Sequence, residues 1–234
     1  VSPYHPYTIF PLGDAALLID FGTAIDEEVS RKVLGLYHQL QAAAYPAITG
    51  LVPAYNSLTV HYDVTALSGS GHSPFERLAR WIGSLDRVSE ESPGRLHTIP
   101  VCYSSSFAPD LASLAQSCGL AEQEVIERHS SATYRVYMIG FLPGFAYLGS
   151  VDEAIAAPRH AAPRAVAAGS VGIAGRQTGI YPLASPGGWQ VIGRTPLAVF
   201  RPQNEEPALL APGDTVKFYS ISEDEFAHYQ GRTA

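Results

Sequence analysis

Between Gly140 and Pro196 the chain holds ten glycines and six prolines, a density that constrains its fold more than any other feature. Each interior glycine costs a helix about 1 kcal/mol and each proline about 3 kcal/mol, so no long helix can cross this stretch. Short apolar pieces (Val171-Gly172-Ile173, Trp189 to Ile192, Leu197 to Phe200) alternate there with Pro-Gly turns. Short strands punctuated in this way build the walls of a β-barrel or sandwich with functional loops.

The first part of the chain reads differently. Ala15 to Phe21 is an apolar run of strand length closed by Gly22, and Ser57 to Tyr62 alternates with period two, as a half-buried strand does. From Asp26 to Ala44 the spacing of Val29, Val33, Leu36, Tyr37 and Leu40 predicts a helix, with Asp26 as N-cap and Glu27 and Glu28 at its positive end. A second helix begins at Ser73 or Pro74 and carries Phe75, Leu78, Trp81, Ile82 and Leu85 on one face. This strand–helix–strand–helix pattern gives a small α/β N-terminal domain over residues 1–90. The polar segment Ser89 to Gly94 ends in Pro-Gly and marks a boundary. Leu96 to Tyr103 opens a new strand in a second domain, residues 95–225. Helices follow from Asp110 through Leu114 and from Ala121 to Ser130. The fold class is therefore α+β.

Net charge is −7, which argues against nucleic acid as a partner. No run of about 18 uncharged apolar residues is present to span a membrane, and the start Val1-Ser2-Pro3-Tyr4-His5-Pro6 lacks the pattern of a secretory signal. Cys102 and Cys118 read as free thiols of a reducing, cytoplasmic protein. The eight histidines form no metal-binding pair, so no metal is expected. Charge is uneven, however: residues 130–202 carry six arginines against two acids, a local +4 in a chain whose remainder sums to −11. An island made only of arginine suits a carboxylate or phosphate ligand.

Four stretches in this island carry the candidate chemistry. Gly140-Phe141-Leu142-Pro143-Gly144-Phe145-Ala146-Tyr147-Leu148 places Phe141, Phe145 and Tyr147 around the Pro143-Gly144 turn, where ring faces and backbone amides meet a small planar ligand. An aromatic corner of the barrel core accounts equally well for Phe141 and Phe145. Pro158-Arg159 and Pro163-Arg164 each set a guanidinium on a backbone fixed by proline, which points to an anionic ligand. Gly169 to Pro182 holds Ser170, Gln177, suited to an amide edge, and Tyr181. It lacks a phosphate-binding Gly-Lys-Ser/Thr, and no helix follows to complete a dinucleotide fingerprint. Ser185 to Thr195 contributes Pro186, Trp189 and Arg194, and Ser185 lacks the Gly-x-Ser-x-Gly elbow of a serine nucleophile. His129, just before the aromatic turn, reads either as an acid–base residue or as a helix C-cap or packed histidine.

Taken in order from Arg135 to Phe200, these motifs resemble the KipI-like family of 5-oxoprolinase components, once labelled allophanate hydrolase subunit 1. The segments G-F-x-P-G-F-x-Y-L, P-R-x-x-x-P-R, G-S-V-G-I-A-G-x-Q-T-G-I-Y-P and S-P-G-G-W-x-x-I-G-R-T-P carry the likeness. Val52 to Leu58, Ile99-Pro100-Val101 and Ala211 to Asp214 extend it. The resemblance implies a cyclophilin-like β-barrel as the second domain. It also implies a role as the B subunit, with an active site completed by a homologous C subunit. Together with an A subunit, the assembly opens a lactam, 5-oxo-L-proline, to L-glutamate using ATP; this chain binds no cofactor itself and is inactive alone. Arg159, Arg164, Gln177 and His129 are then the catalytic candidates, and the aromatic residues, Ser170, Pro186 and Arg194 line the substrate. Other branches imply a histidine-kinase inhibitor or a carboxyltransferase partner in urea metabolism. Three positions depart from the family pattern: the serines within Tyr103 to Pro109, Ala167, and Arg201, where an acidic residue is common.

Overall fold

The computed structural model describes residues 7–69, 71–85 and 94–232. The chain divides into two compact units, residues 1–93 and 94–234. Apart from Gly94, the polar boundary segment lies outside the described residues.

Unit 1 runs β1 (Thr8–Pro11), β2 (Ala16–Asp20), α1 (Glu27–Ala43), β3 (Ile48–Pro53), β4 (Ser57–Tyr62) and α2 (Pro74–Ile82). Its strands form an antiparallel sheet in the order β1-β2-β4-β3. Period-two alternation turns Leu17, Ile19, Leu58 and Val60 to one face, where they are fully buried with Val33, Leu36 and Leu40 of α1 and Leu78 and Ile82 of α2. Both helix starts are capped. The Asp26 carboxylate accepts from the Val29 amide at 2.8 Å, and Ser73 and Glu76 exchange side-chain-to-backbone bonds. Strands β1 and β3 are not announced by the sequence pattern. Both are edge strands ending in a proline, Pro11 and Pro53, which only an edge tolerates and which blurs a strand signal.

Unit 2 begins with β5 (Leu96–Cys102), α3 (Leu111–Cys118), α4 (Glu122–Ser131), β6 (Thr133–Ile139) and β7 (Ala146–Gly149). It continues with β8 (Arg164–Val166), β9 (Ser170–Ala174), β10 (Gln177–Ile180), β11 (Ser185–Gly187), β12 (Gln190–Arg194), β13 (Thr215–Ile221) and α5 (Glu223–Arg232). Seven strands close a barrel in the order β10-β7-β6-β13-β5-β12-β9, and β8 and β11 form a separate two-stranded ribbon. Only the β5–β13 pair is parallel. The expected barrel is thus present. Leu197 to Phe200, read as a strand piece, forms only an isolated bridge from Phe200 to Ala208.

His129 occupies the barrel core, fully buried at the end of α4 and stacked on Phe218 at 4.7 Å. The Thr178 hydroxyl donates to the Gly172 carbonyl at 3.1 Å, so it accepts from His129 Nε2 at 2.9 Å. That leaves Nδ1 as the acceptor of the Tyr103 hydroxyl at 2.8 Å. The neutral ring is satisfied on both nitrogens and ties α4 to the end of β5 and to β9 and β10. This corrects the acid–base expectation for His129: the ring is sealed from solvent and its two nitrogens are occupied.

Burial holds the His129 pKa down to about 3, whereas an unfolded histidine titrates near ~6.5. Across that window the unfolded chain takes up a proton that the folded barrel refuses. The contribution to stability is therefore complete above about pH 6.5 and is lost as pH falls, by up to ~1.4 kcal/mol per pH unit. We expect urea midpoints to drop between about pH 6.5 and 5, where carboxylates contribute least. The drop should flatten in His129→Gln. Equal slopes in the two proteins would rule out this coupling.

Candidate functional site

Outside the barrel core, one further cluster gathers Phe145, Val166, Ala174, Tyr181, Trp189 and Val191, with Leu142 and Tyr147 packed against it. Phe145 is its hub. Its ring meets those of Phe141, Tyr147, Tyr181 and Trp189 edge-on, with centroids 4.8–5.6 Å apart, the arrangement that aromatic quadrupoles favour. The sequence makes room for it at Gly179 in β10. A Cβ there would stand 3.0 Å from Trp189 Cζ3 and 3.1 Å from Phe145 Cζ, so any larger residue would push the rings apart.

The Pro143-Gly144 turn presents this cluster to solvent. Phe145 N–H donates to the Leu142 carbonyl at 3.0 Å, and Gly140 N–H to the Phe145 carbonyl at 3.0 Å. Pro143 is exposed at the tip, and Gly144 takes a left-handed φ of 80°. Phe141 also has positive φ, 67°, and leaves 62% of its surface in water. A bulky residue held in this region costs about 1–3 kcal/mol, and here the cost serves to hold an aromatic ring outside the core.

The backbone on either side of Arg159 is fixed. The Gln190 side-chain amide donates to the Pro158 carbonyl at 3.0 Å, and the His160 amide donates to the Gly188 carbonyl at 2.7 Å. Its guanidinium lies 5.9 Å from the centre of the Trp189 ring. Among the described residues it meets no carboxylate. Its charge is felt nearby: burial raises the Tyr147 and Tyr181 pKa values, and Arg159 opposes both rises. For Tyr181 the Trp189 backbone amide acts in the same sense. Ser170 is buried and sets Tyr181 through its backbone, accepting the Tyr181 amide at 2.8 Å.

Arg164 differs from Arg159 in kind, although the sequence prepares them alike. It stands in β8 opposite Gly187 of β11 and pairs with Asp110 at 3.3 Å, while Pro186 opposes Ala165 on the exposed ribbon. Asp110 is buried, and its carboxylate also accepts the Val191 amide at 2.8 Å. His160 Nε2 approaches the same carboxylate at 3.1 Å but off the hydrogen-bond line, which leaves the contact electrostatic. Asp110 and His160 are site residues that the sequence motifs do not reveal. Asp110 has the look of a helix cap, yet its side chain makes no capping bond. The placement of His160 directly after Pro158-Arg159 is the signal that could have found it.

Two expected members lie elsewhere. Arg194 donates from Nε to the Ala168 carbonyl at 2.8 Å and rests over the stacked rings of Phe107 and Phe226, about 6 Å from each. It packs on α5, away from the Phe145 cluster. Gln177 begins β10, four residues and so about 13 Å along the strand from Tyr181. The arginine island therefore splits between separate surroundings, and Arg159 is the cation left facing the aromatic cluster.

The family model of the carboxyltransferase domain, subdomain C and D, matches residues 7–210. The chain is 45% identical to the 5-oxoprolinase B subunit of Bacillus subtilis over 96% of its own length and 97% of that protein's. A solved structure of a conserved uncharacterized protein from Pyrococcus horikoshii is 45% identical, covers 94% of this chain and all of that one, and superposes with a TM-score of 0.55. The crystal structure of TTHA0988 superposes with a TM-score of 0.79 at 39% identity over 88% of this chain, which spans 40% of that longer one. This chain belongs to the carboxyltransferase subdomain C and D family, alongside the 5-oxoprolinase B subunits. Among the described residues no helix is long and apolar enough to cross a membrane.

Gly187→Ala tests the cluster. A Cβ at Gly187 would lie 2.7 Å from Tyr181 Cε1, so the ring or the ribbon must move. We expect a loss of about 1–3 kcal/mol in urea denaturation, with Tyr181 leaving its edge-on place against Phe145. A variant as stable as the parent would show that the ribbon yields freely.

Proposed function

We propose that this chain is the B subunit of a multi-subunit 5-oxoprolinase and that the Arg159–Trp189 face of its barrel holds the anionic group of the ligand. The observation that carries this reading is Arg159 itself: its backbone is fixed by hydrogen bonds at Pro158 and His160, and its guanidinium lies over an indole and is matched by no carboxylate among the described residues. A cation on a backbone fixed in this way costs less to aim when an anion arrives. The identity to 5-oxoprolinase B subunits over nearly the whole chain supports the choice of reaction.

In that reaction, water adds across the lactam C–N bond of 5-oxo-L-proline and gives L-glutamate, with ATP consumed by the assembly of this chain with its A and C partners. Negative charge gathers on the lactam oxygen or on a phosphorylated intermediate as the ring opens. Arg159 stabilises that charge or holds the substrate carboxylate. Phe141 and Tyr147 present ring faces to the flat lactam, and the buried Trp189 backs Arg159. Arg164 is held back by Asp110 and serves the position of the Pro158–Arg164 segment. ATP binds on a partner protein or on surfaces completed by one, since this chain carries no nucleotide motif.

The experiment is ATP-dependent glutamate release by this chain purified together with homologues of the A and C subunits, omitting each in turn. Activity should vanish without this chain. Arg159→Ala should lower kcat/KM by about 10²-fold or more, as expected for one charged contact to a developing anion, while the complex still assembles. Unchanged turnover would remove Arg159 from the site. A stable complex without lactam opening would direct the same site to a carboxylated substrate, the reading that the family's carboxyltransferase description favours.

A further inference from the structure

In unit 1 the outer edge of β3 pairs with no strand among the described residues. The ladder with β4 fixes which backbone groups that edge leaves over. The Ala54 amide donates to the Ser57 carbonyl at 2.8 Å, and the pairs Val52–Thr59 and Gly50–His61 continue the same register. Hydrogen-bonded and non-bonded pairs alternate in an antiparallel ladder. Val52 and Gly50 therefore turn N–H and C=O to β4, and Leu51, opposite Val60, turns both outward. Pro53 falls at the next outward position and, lacking an N–H, offers only its carbonyl there.

Beside this edge lies a groove of about 420 Å³. Helix α1 walls one side with Tyr37, Leu40 and Gln41, and the start of β3 through Leu51 walls the other. Every residue lining it is uncharged, and so is all of β3. Charged side chains are a common guard on edge strands. Here the guards are a bulge between Ile48 and Gly50 and the terminal Pro53, and they leave Leu51 open between them. Ala44, the C-cap of α1, also lines the groove, so the negative pole of that helix falls there. Glu27 and Glu28 match the opposite pole, but the last turn carries no basic residue.

We propose that this edge receives an extended segment of a partner protein, which adds a strand to the sheet of unit 1 through Leu51 and the Pro53 carbonyl. Directly opposed residues of neighbouring strands share a face of the sheet. The partner residue opposite Leu51 thus turns with it toward α1 and enters the groove, where Tyr37 and Leu40 suit an apolar side chain. The residues before and after it turn to the other face, toward Val52, which leaves 48% of its surface in water. Two positions along on the groove side, a lysine or arginine meets the unmatched pole of α1. A second copy of this chain does not supply that charge from the same hairpin, because residues 45–62 hold no Lys or Arg. The inference stands on unit 1 alone and does not depend on the chemistry assigned to Arg159.

The probe is the peptide acetyl-Lys-Val-Phe-Val-Thr-amide, titrated into the full chain by calorimetry and followed by amide hydrogen exchange. Saturable binding is expected, with the Leu51 amide newly protected. N-methylation of the Phe nitrogen, which faces β3, should weaken binding by about tenfold or more. N-methylation of the Val that follows, whose N–H faces away, should leave it unchanged. Gln41→Lys places a positive charge in the exposed last turn of α1. It should weaken the peptide by about two- to fivefold, and replacing the peptide's Lys by Glu should cost about as much. Absence of saturable binding, an unprotected Leu51 amide, equal binding by the two N-methylated peptides or undiminished binding by Gln41→Lys would each overturn the proposal. A dimer of this chain in sedimentation that the peptide dissociates would give the edge to a second copy and overturn the choice of partner.

Discussion

The buried carboxylate of Asp110 is the interaction on which the arrangement of unit 2's outer face depends. At the start of α3 it reaches the Val191 amide of β12, the Arg164 guanidinium of the ribbon and the edge of the His160 ring. A charge this deep is tolerable only with such partners. The consequence is a division of labour between two arginines that stand five residues apart. One is neutralised and holds the ribbon, and the other is left uncompensated over Trp189. Removing the carboxylate would free Arg164 and loosen the strand that follows Trp189, so the surroundings of Arg159 depend on a residue that faces the interior.

The aromatic cluster shows how packing and exposure are reconciled in the same region. Phe145, Tyr181 and Trp189 are buried, and glycine at 179 lets their rings meet edge-on. Phe141 is turned out of this core by its positive φ and remains in water. The ambiguity in sequence between core corner and ligand surface therefore resolves residue by residue: Phe145 is core, and Phe141 is surface. His129 resolves in the opposite direction from a catalytic role. Its neutral ring bridges Tyr103 and Thr178, and burial keeps it from accepting a proton.

Much of the fold is legible in the sequence because local signals and tertiary structure agree. Asp26 and Ser73 cap the helices where the apolar period begins, and the glycine and proline density excludes helices from the barrel wall. What is not legible has physical reasons. Edge strands β1 and β3 end in proline. Helix α5 has little apolar periodicity, although the Ser222–Glu225 capping box announces its start. Among the site residues, Asp110 carries the sequence signature of a helix cap and cannot be told from one until the fold brings β12 and the ribbon beside it.

The sequence by itself determined the α+β class, the family and the segment that carries Arg159 and the aromatic turn, because each is written in spacing and residue type over short stretches; between barrel and sandwich, only the family resemblance chose. Only the tertiary structure decided which arginines are left uncompensated. Arg159, Arg164 and Arg194 are equivalent as letters. Their charges are spent or left free by contacts with residues distant in the chain, 54 positions away in the case of Arg164 and Asp110. Compensation of charge is a property of distance in space, and a chain does not possess it until it folds.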